Sequence, residues 1–208
     1  MSGATVARRT VLGAAALLAT SPVRAATAKP RVELMTAQGR IVVELEDRRA
    51  PLTAANFLHY VAAAKYDGGA FYRSTHPPGA PGDGTIVAGP AAGQRPFPPI
   101  AHESTTKTGL RHVDGTVSLG RFAPGSATDT FFICLGEEPY LDAHPGAKGD
   151  NLGYAAFGQV IEGMAVVRRI HGRPAHGKSP FPDQKGQWLT RPVPILHARR
   201  IGAPDKTA

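Results

Sequence analysis

One cysteine, Cys134, stands in 208 residues, so the chain cannot close a disulfide on itself. It lies in Thr130-Phe131-Phe132-Ile133-Cys134-Leu135, a short apolar run that reads as a buried strand, where a cysteine is a small core hydrophobe rather than a nucleophile. The eight histidines are scattered, with no H-E-x-x-H and no Cys/His cluster, so no metal site is expected. The hydrolase elbow G-x-S-x-G is missing, because Ser118 sits in Thr116-Val117-Ser118-Leu119-Gly120. Gly82-Asp83-Gly84-Thr85-Ile86-Val87 begins like a dinucleotide loop, yet it ends in valine, follows no clear strand and enters no helix. The paired carboxylates Glu137-Glu138 and Glu44/Asp47 read as solvated turns. Helical periodicity is scarce and no internal repeat occurs. No Lys/Arg run interleaved with aromatics follows the N-terminal segment, so no nucleic-acid partner is expected, despite a formal charge of +8 and a pI near 10.0.

Residues 1–28 have the anatomy of an export signal. Arg8-Arg9 precedes the apolar run Val11 to Ala19, which is too short to span a bilayer, and Ala25 and Ala28 offer small-residue cleavage sites. Ala7-Arg8-Arg9-Thr10-Val11-Leu12-Gly13 resembles the twin-arginine motif; an ordinary secretory signal with two arginines is the alternative. On either reading the mature chain starts near Ala26 or Lys29, in the cell envelope, with no stable membrane insertion once the signal is removed. Losing Arg8, Arg9 and Arg24 leaves +5 on the remainder.

The length suits one domain, over residues 29–202, with a tail at 203–208. Glycine and proline are numerous, 24 and 19, but they punctuate apolar runs and so mark turns rather than disorder. Arg31–Thr36 and Arg40–Leu45 alternate around Ala37-Gln38-Gly39, a hairpin signal. From Pro51 a helix is predicted whose buried face carries Leu52, Phe57, Val61 and Ala64, ending at Asp67-Gly68-Gly69. Strands follow at Phe71–Arg73, Thr85–Ala88, Gly115–Gly120, Phe131–Leu135 and Tyr154–Val160. A second helix over Glu162–Ile170 buries Met164, Val167 and Ile170. Gly172 to Gln187 is a polar loop, and Val193–Ile201 closes the chain as a strand with Pro194 at an edge or a bulge. About eight strands and two helices suggest a β-barrel with helices at its ends.

Several segments, taken in order, resemble one family. They are Asn56-Phe57, then Tyr66-Asp67-Gly68-Gly69-Ala70-Phe71-Tyr72-Arg73, then Gly115-Thr116-Val117-Ser118-Leu119-Gly120-Arg121. Ser126-Ala127-Thr128-Asp129-Thr130-Phe131-Phe132-Ile133, Tyr140-Leu141-Asp142 and Ala156-Phe157-Gly158-Gln159-Val160 complete the set. Together they look like a cyclophilin-type peptidyl-prolyl cis–trans isomerase of the bacterial secreted kind, over roughly residues 31–201. The resemblance implies a mainly β fold, an eight-stranded antiparallel barrel capped by two α-helices. It also implies a peptide groove on the barrel's outer face, no cofactor, proline-containing polypeptides as partners, and a monomer.

Arg73 matches the family's catalytic arginine, in F-Y-R where F-H-R is usual. Amide resonance opposes rotation about an X–Pro bond with a barrier of about 20 kcal/mol. In the twisted transition state the proline nitrogen regains its lone pair. A guanidinium donor aimed at that nitrogen favours the twisted form over both planar forms. Phe132 and Leu141 match the hydrophobic cup for the proline ring, and Phe71 is expected beside them; Gly120 belongs to the same implied groove.

Other groove positions depart from the pattern. Val87 stands where the family has a glutamine, and Thr130 replaces a second one. Tyr154 takes the place of the usual groove histidine, and Tyr140 that of the tryptophan common in eukaryotic members. These changes leave two readings open: an active isomerase that assists envelope protein folding, or a weakened proline-peptide binder or chaperone. A third idea has the proline-rich loop 74–99 shaping or occupying the groove itself.

Overall fold

Thr36 and Gly39 close the first turn of the chain. Gln38 N–H donates to Thr36 Oγ1 (3.0 Å), and that hydroxyl donates to Gly39 O (2.7 Å). The turn joins β1 (Arg31–Thr36) to β2 (Gly39–Leu45) as an antiparallel pair. The computed structural model describes residues 28–202; the expected leader, most of its cleavage region and the tail at 203–208 lie outside them.

The remaining strands are β3 (Ala70–Thr75), β4 (Gly84–Gly89), β5 (Thr116–Leu119), β6 (Phe131–Leu135), β7 (Ala155–Glu162) and β8 (Trp188–Ile201). They close into a barrel in the order β1-β2-β7-β5-β6-β4-β3-β8, with every recorded strand pairing antiparallel. β8 begins five residues earlier than the sequence pattern indicated. Closure leaves no edge for Pro194. Instead it pairs with Ala70, and next to it the register against β1 slips at Leu196, between the pairs Met35–His197 and Thr36–Ile195. Pro194 is therefore neither at an edge nor itself the extra residue, which lies two positions on.

Helix α1 (Pro51–Ala62) follows the Leu45 end of β2, whereas α3 (Met164–His171) packs against Gly39 at its start. The two helices therefore lie at opposite ends of the barrel. α1 lacks a side-chain N-cap of its own. Glu103 supplies one from across the fold, accepting from Leu52 N, Thr53 N and Thr53 Oγ1, where a carboxylate also suits the helix dipole. The helix buries Thr53, Ala54, Phe57, Tyr60 and Val61. Leu52 is 51% exposed, and Ala64 lies two residues beyond the helix at φ 52, so neither end of the expected apolar face belongs to the buried one. Phe57 plugs the barrel, its ring 5.2–5.3 Å from those of Tyr66, Phe131 and Phe157. α3 buries Val167 and Ile170 as predicted, together with Val166 and His171, while Met164 packs at the rim.

A third helix, α2 (Thr105–Thr108), gave no periodic signal because it is a single turn; Ser104 caps its start and Gly109 at φ 65 ends it. The segment 74–99 is not one loop: β4 runs through its middle and carries Val87 to the barrel's outer face. Its halves dock on the helices: Phe97 stacks on His59 at 3.8 Å and takes Tyr60 Oη at its N–H, and the His76 ring meets His171 at 3.9 Å. Glu138, read from sequence as a solvated turn, is 1% exposed; the 3₁₀ turn Pro139–Leu141 that follows folds it under Tyr140.

Candidate active site

Strand alternation creates two apolar layers. Phe131, Ile133 and Leu135 point into the barrel core, while Phe132 and Cys134 point outward and join Val87 and Leu141 in a second buried cluster. Tyr72 and Tyr154 pack against that outer cluster. Phe132 is its centre: Tyr154 meets it edge-on at 5.4 Å and His112 stacks on it at 5.9 Å. Phe132, Leu141 and Val87 thus form an apolar floor on the barrel's outer wall.

Arg73 shares that outer face because β3 carries a bulge. Phe71 pairs with Ala88 and Arg73 with Val87, so Tyr72 is an extra residue between two consecutive partners on β4. The extra residue reverses the parity of the strand. Phe71 turns inward and is fully buried against Phe131 at 5.9 Å, so it is a core residue and not part of the cup. Arg73 turns outward beside Val87.

The Arg73 guanidinium is half-buried, and its Nε donates to Gln187 Oε1 at 2.8 Å. Burial draws its pKa below the ordinary arginine value, against the fields of Tyr72, Tyr154, Asp183 and Tyr140. Among the described residues no carboxylate lies within ion-pair distance of it. Its positive charge is therefore uncompensated and faces the groove tyrosines.

The other expected residues converge there. Thr130 lies beside Tyr72 over Gly89, and its carbonyl accepts Gly120 N–H at 2.7 Å. A Cβ on Gly120 would come within 3.0 Å of Thr130 Cγ2, so the bare glycine permits this close approach. Tyr140 is 60% exposed at the groove's side; burial and the neighbouring Glu138 carboxylate push the phenol pKa well up. Tyr154 N–H donates to Leu141 O at 2.9 Å, joining two groove residues through the backbone. The Arg121 guanidinium covers the Tyr154 ring at 5.2 Å while its Nε and Nη2 donate to Gly153 O.

Sequence reasoning missed three features. Gln187 was assigned to an idle loop. The stack of Tyr72 on Trp188 (4.9 Å, 25°) had no local signal, since the two are distant in sequence. The third is a buried relay: Asp142 Oδ1 accepts from His112 Nδ1 at 2.7 Å, and His112 Nε2 faces Ser118 Oγ at 2.9 Å. The carboxylate can only accept, which fixes the proton on Nδ1 and leaves Nε2 to accept from the serine hydroxyl. The order Ser–His–Asp is that of a hydrolase, but Ser118 is 0% exposed, so no carbonyl can reach it. The relay instead braces the underside of Phe132.

A closed eight-stranded barrel with an arginine and an apolar cup on its outer wall defines a cyclophilin fold. The solved cyclophilin-type isomerase of Cryptosporidium parvum superposes with a TM-score of 0.66, over 85% of this chain and 99% of that one, at 19% identity. The family model described as "Cyclophilin type peptidyl-prolyl cis-trans isomerase/CLD" matches residues 31–200. Peptidyl-prolyl cis-trans isomerase A of Dickeya dadantii is 33% identical over 186 residues, 89% of this chain and 92% of that protein. A Streptomyces antibioticus isomerase is 41% identical over 146 residues, covering 68% of this chain and 82% of that one. The chain belongs to the cyclophilin-type peptidyl-prolyl cis–trans isomerases.

Proposed function

We propose that Arg73 is the catalytic group of this isomerase and that the enzyme turns X–Pro bonds of proteins folding in the cell envelope. The observation that carries the reading is an unpaired guanidinium on the same outer face as the apolar floor of Val87, Phe132 and Leu141. The floor holds the proline ring still, so rotation occurs on the acyl side. Arg73 donates to the ring nitrogen only while that nitrogen is pyramidal, which stabilises the twisted state selectively. Half-burial strengthens that donation, and the absence of a carboxylate partner leaves the full charge for the substrate. The envelope location rests on the twin-arginine-like segment at Arg8-Arg9, with the secretory alternative noted above.

A protease-coupled assay on an Ala-Pro peptide tests the chemistry. Wild type accelerates isomerisation and Arg73→Ala lowers kcat/KM by about 10²–10³-fold, the scale of removing one transition-state donor. An Arg73→Ala variant as fast as wild type would refute the assignment. Saturable peptide binding with no acceleration in wild type would make the protein a proline-peptide binder instead, the reading that Val87 and Thr130 motivated. Export is checked separately: replacing Arg8 and Arg9 by lysines leaves the protein in the cytoplasm if the twin-arginine route is used.

A further inference from the structure

We infer that Gln187 is a positioning residue for isomerisation, holding Arg73 in its working orientation from the β8 side, opposite the apolar floor. This rests on the role proposed for Arg73. An arginine side chain has four rotatable bonds, and most of its rotamers would miss a proline nitrogen. Arg73's neighbour on β4 is Val87, which offers no hydrogen bond. Its neighbour on β8 is Trp188, and the residue before it, Gln187, supplies the acceptor: Arg73 Nε to Gln187 Oε1, 2.8 Å.

Gln187 is itself fixed. Its carbonyl accepts Ser74 N–H at 2.7 Å, beside Arg73 on the same strand, and its own N–H donates to Gln184 O at 3.2 Å. Next to it, Trp188 is clamped between the Tyr72 ring and Gln184 Oε1, which accepts its indole N–H at 3.3 Å. The amide therefore approaches Arg73 from a braced segment rather than from a free loop end.

The choice of atom matters. With Nε occupied, the plane of the guanidinium is set, and among the described residues Nη1 and Nη2 have no acceptor, so both remain for the substrate. A neutral amide does this without cancelling the charge that the twisted amide needs, which a carboxylate at 187 would do. Pre-set orientation speeds the chemical step and leaves ground-state peptide affinity almost untouched.

The test is a double-mutant cycle on the whole protein with Gln187→Met, which keeps the side chain's length, and Arg73→Ala. Isomerase kcat/KM, peptide Kd, Tm and the NMR signal of the Arg73 Nε–H are read together. Gln187→Met is expected to lower kcat/KM about tenfold with Kd and Tm unchanged. It is also expected to shift the Arg73 Nε–H signal and speed its exchange with water, and to have no further effect in the Arg73→Ala background. Wild-type kcat/KM in Gln187→Met, an unmoved Arg73 signal, or an equal loss in the Arg73→Ala background would each overturn the inference. An inactive wild type would sink the proposed role of Arg73 instead, and with it any positioning role for Gln187.

Discussion

Phe71 and Arg73 stand two residues apart on β3 and face opposite sides of the barrel wall. In a regular strand they would share a face, and either the arginine would be driven into the aromatic core or the phenylalanine into the groove. The bulge at Tyr72 resolves the conflict. It inserts one residue, inverts the parity, and lets the same six-residue strand contribute a core ring and a charged groove residue. β8 is irregular at the same level, since Phe71 pairs with Val193 and Arg73 with Trp188. The distortion in both neighbours brings Gln187 alongside the arginine.

The bulged residue should be sensitive for this reason. Tyr72→Ala removes the stack on Trp188 while leaving the backbone count intact. An aromatic pair is worth about 0.5–1.5 kcal/mol. Thermal unfolding should show Tm lower by about 1–6 °C for a chain of this size. Activity should fall as well, because Trp188 then no longer braces Gln187. A variant with wild-type Tm and rate would show that the bulge needs no side chain to hold it.

Much of the barrel was legible from residue pattern alone, and the reasons are local. The β1–β2 hairpin carries its own glycine turn, β6 is an unbroken apolar run, and α3 shows helical spacing ending in Arg168-Arg169. What escaped was set by tertiary context. Leu52 fits a helical stripe from Pro51, but the barrel end that α1 covers selects the face of Thr53, Phe57 and Tyr60. Glu138 looks like a turn carboxylate and is buried because the 3₁₀ turn Pro139–Leu141 folds over it. The groove positions came from resemblance, since their motifs are contiguous, and Val87, Phe132, Leu141, Tyr140 and Tyr154 lie on one outer face. Phe71 was misplaced because a bulge leaves no mark in composition, and Gln187 was missed because its partner lies 114 residues away.

The cup can be probed by truncation with separable outcomes. Phe132 is almost fully buried between Tyr154 and His112, so Phe132→Ala opens a cavity and should cost about 3–5 kcal/mol. Leu141→Ala, nearer the surface on its 3₁₀ turn, should cost about 2–3 kcal/mol, at the low end for buried leucines. Chemical denaturation gives these values. In the folded fraction both variants should show weaker peptide binding, measured by titration calorimetry, in contrast to Arg73→Ala, which should bind nearly normally and turn over slowly. Unchanged affinity in Phe132→Ala would mean the proline ring sits elsewhere.

Helix α1 offers a test independent of the groove. Glu103 accepts from two backbone N–H groups and one hydroxyl at the helix start, so Glu103→Ala strands all three donors. Loss of an N-cap costs about 0.5–2 kcal/mol, and Tm should fall accordingly with kcat/KM unaffected. A change in rate at constant stability would indicate coupling between α1 and the outer face that the contacts do not suggest.

Acid should weaken the fold through two histidines before most carboxylates titrate. Burial lowers the pKa of His112 below 6.5, with Asp142 opposing, and it lowers that of His171 as well. Each is neutral in the folded protein over a range where the unfolded chain already binds a proton. Their contribution to stability is therefore complete above about pH 6.5 and is lost as pH falls below it. Arg111, 3.6 Å from Asp142, shares that carboxylate and further weakens its pull on the His112 proton. Glu138 works in the other direction: burial raises its pKa above 4.5, so it favours the folded state at low pH and loses that contribution as pH rises through its folded value. Unfolding free energy measured by denaturant should decline from pH 7 to pH 5.5, before Glu33, Asp67 and Asp150, whose arginine partners hold their pKa values down, begin to protonate. His112→Asn should be less stable at pH 7, because Ser118 and Asp142 lose their bridge, and its stability should fall less steeply toward pH 5.5. If the two profiles run parallel, the relay beneath Phe132 does not keep its histidine neutral.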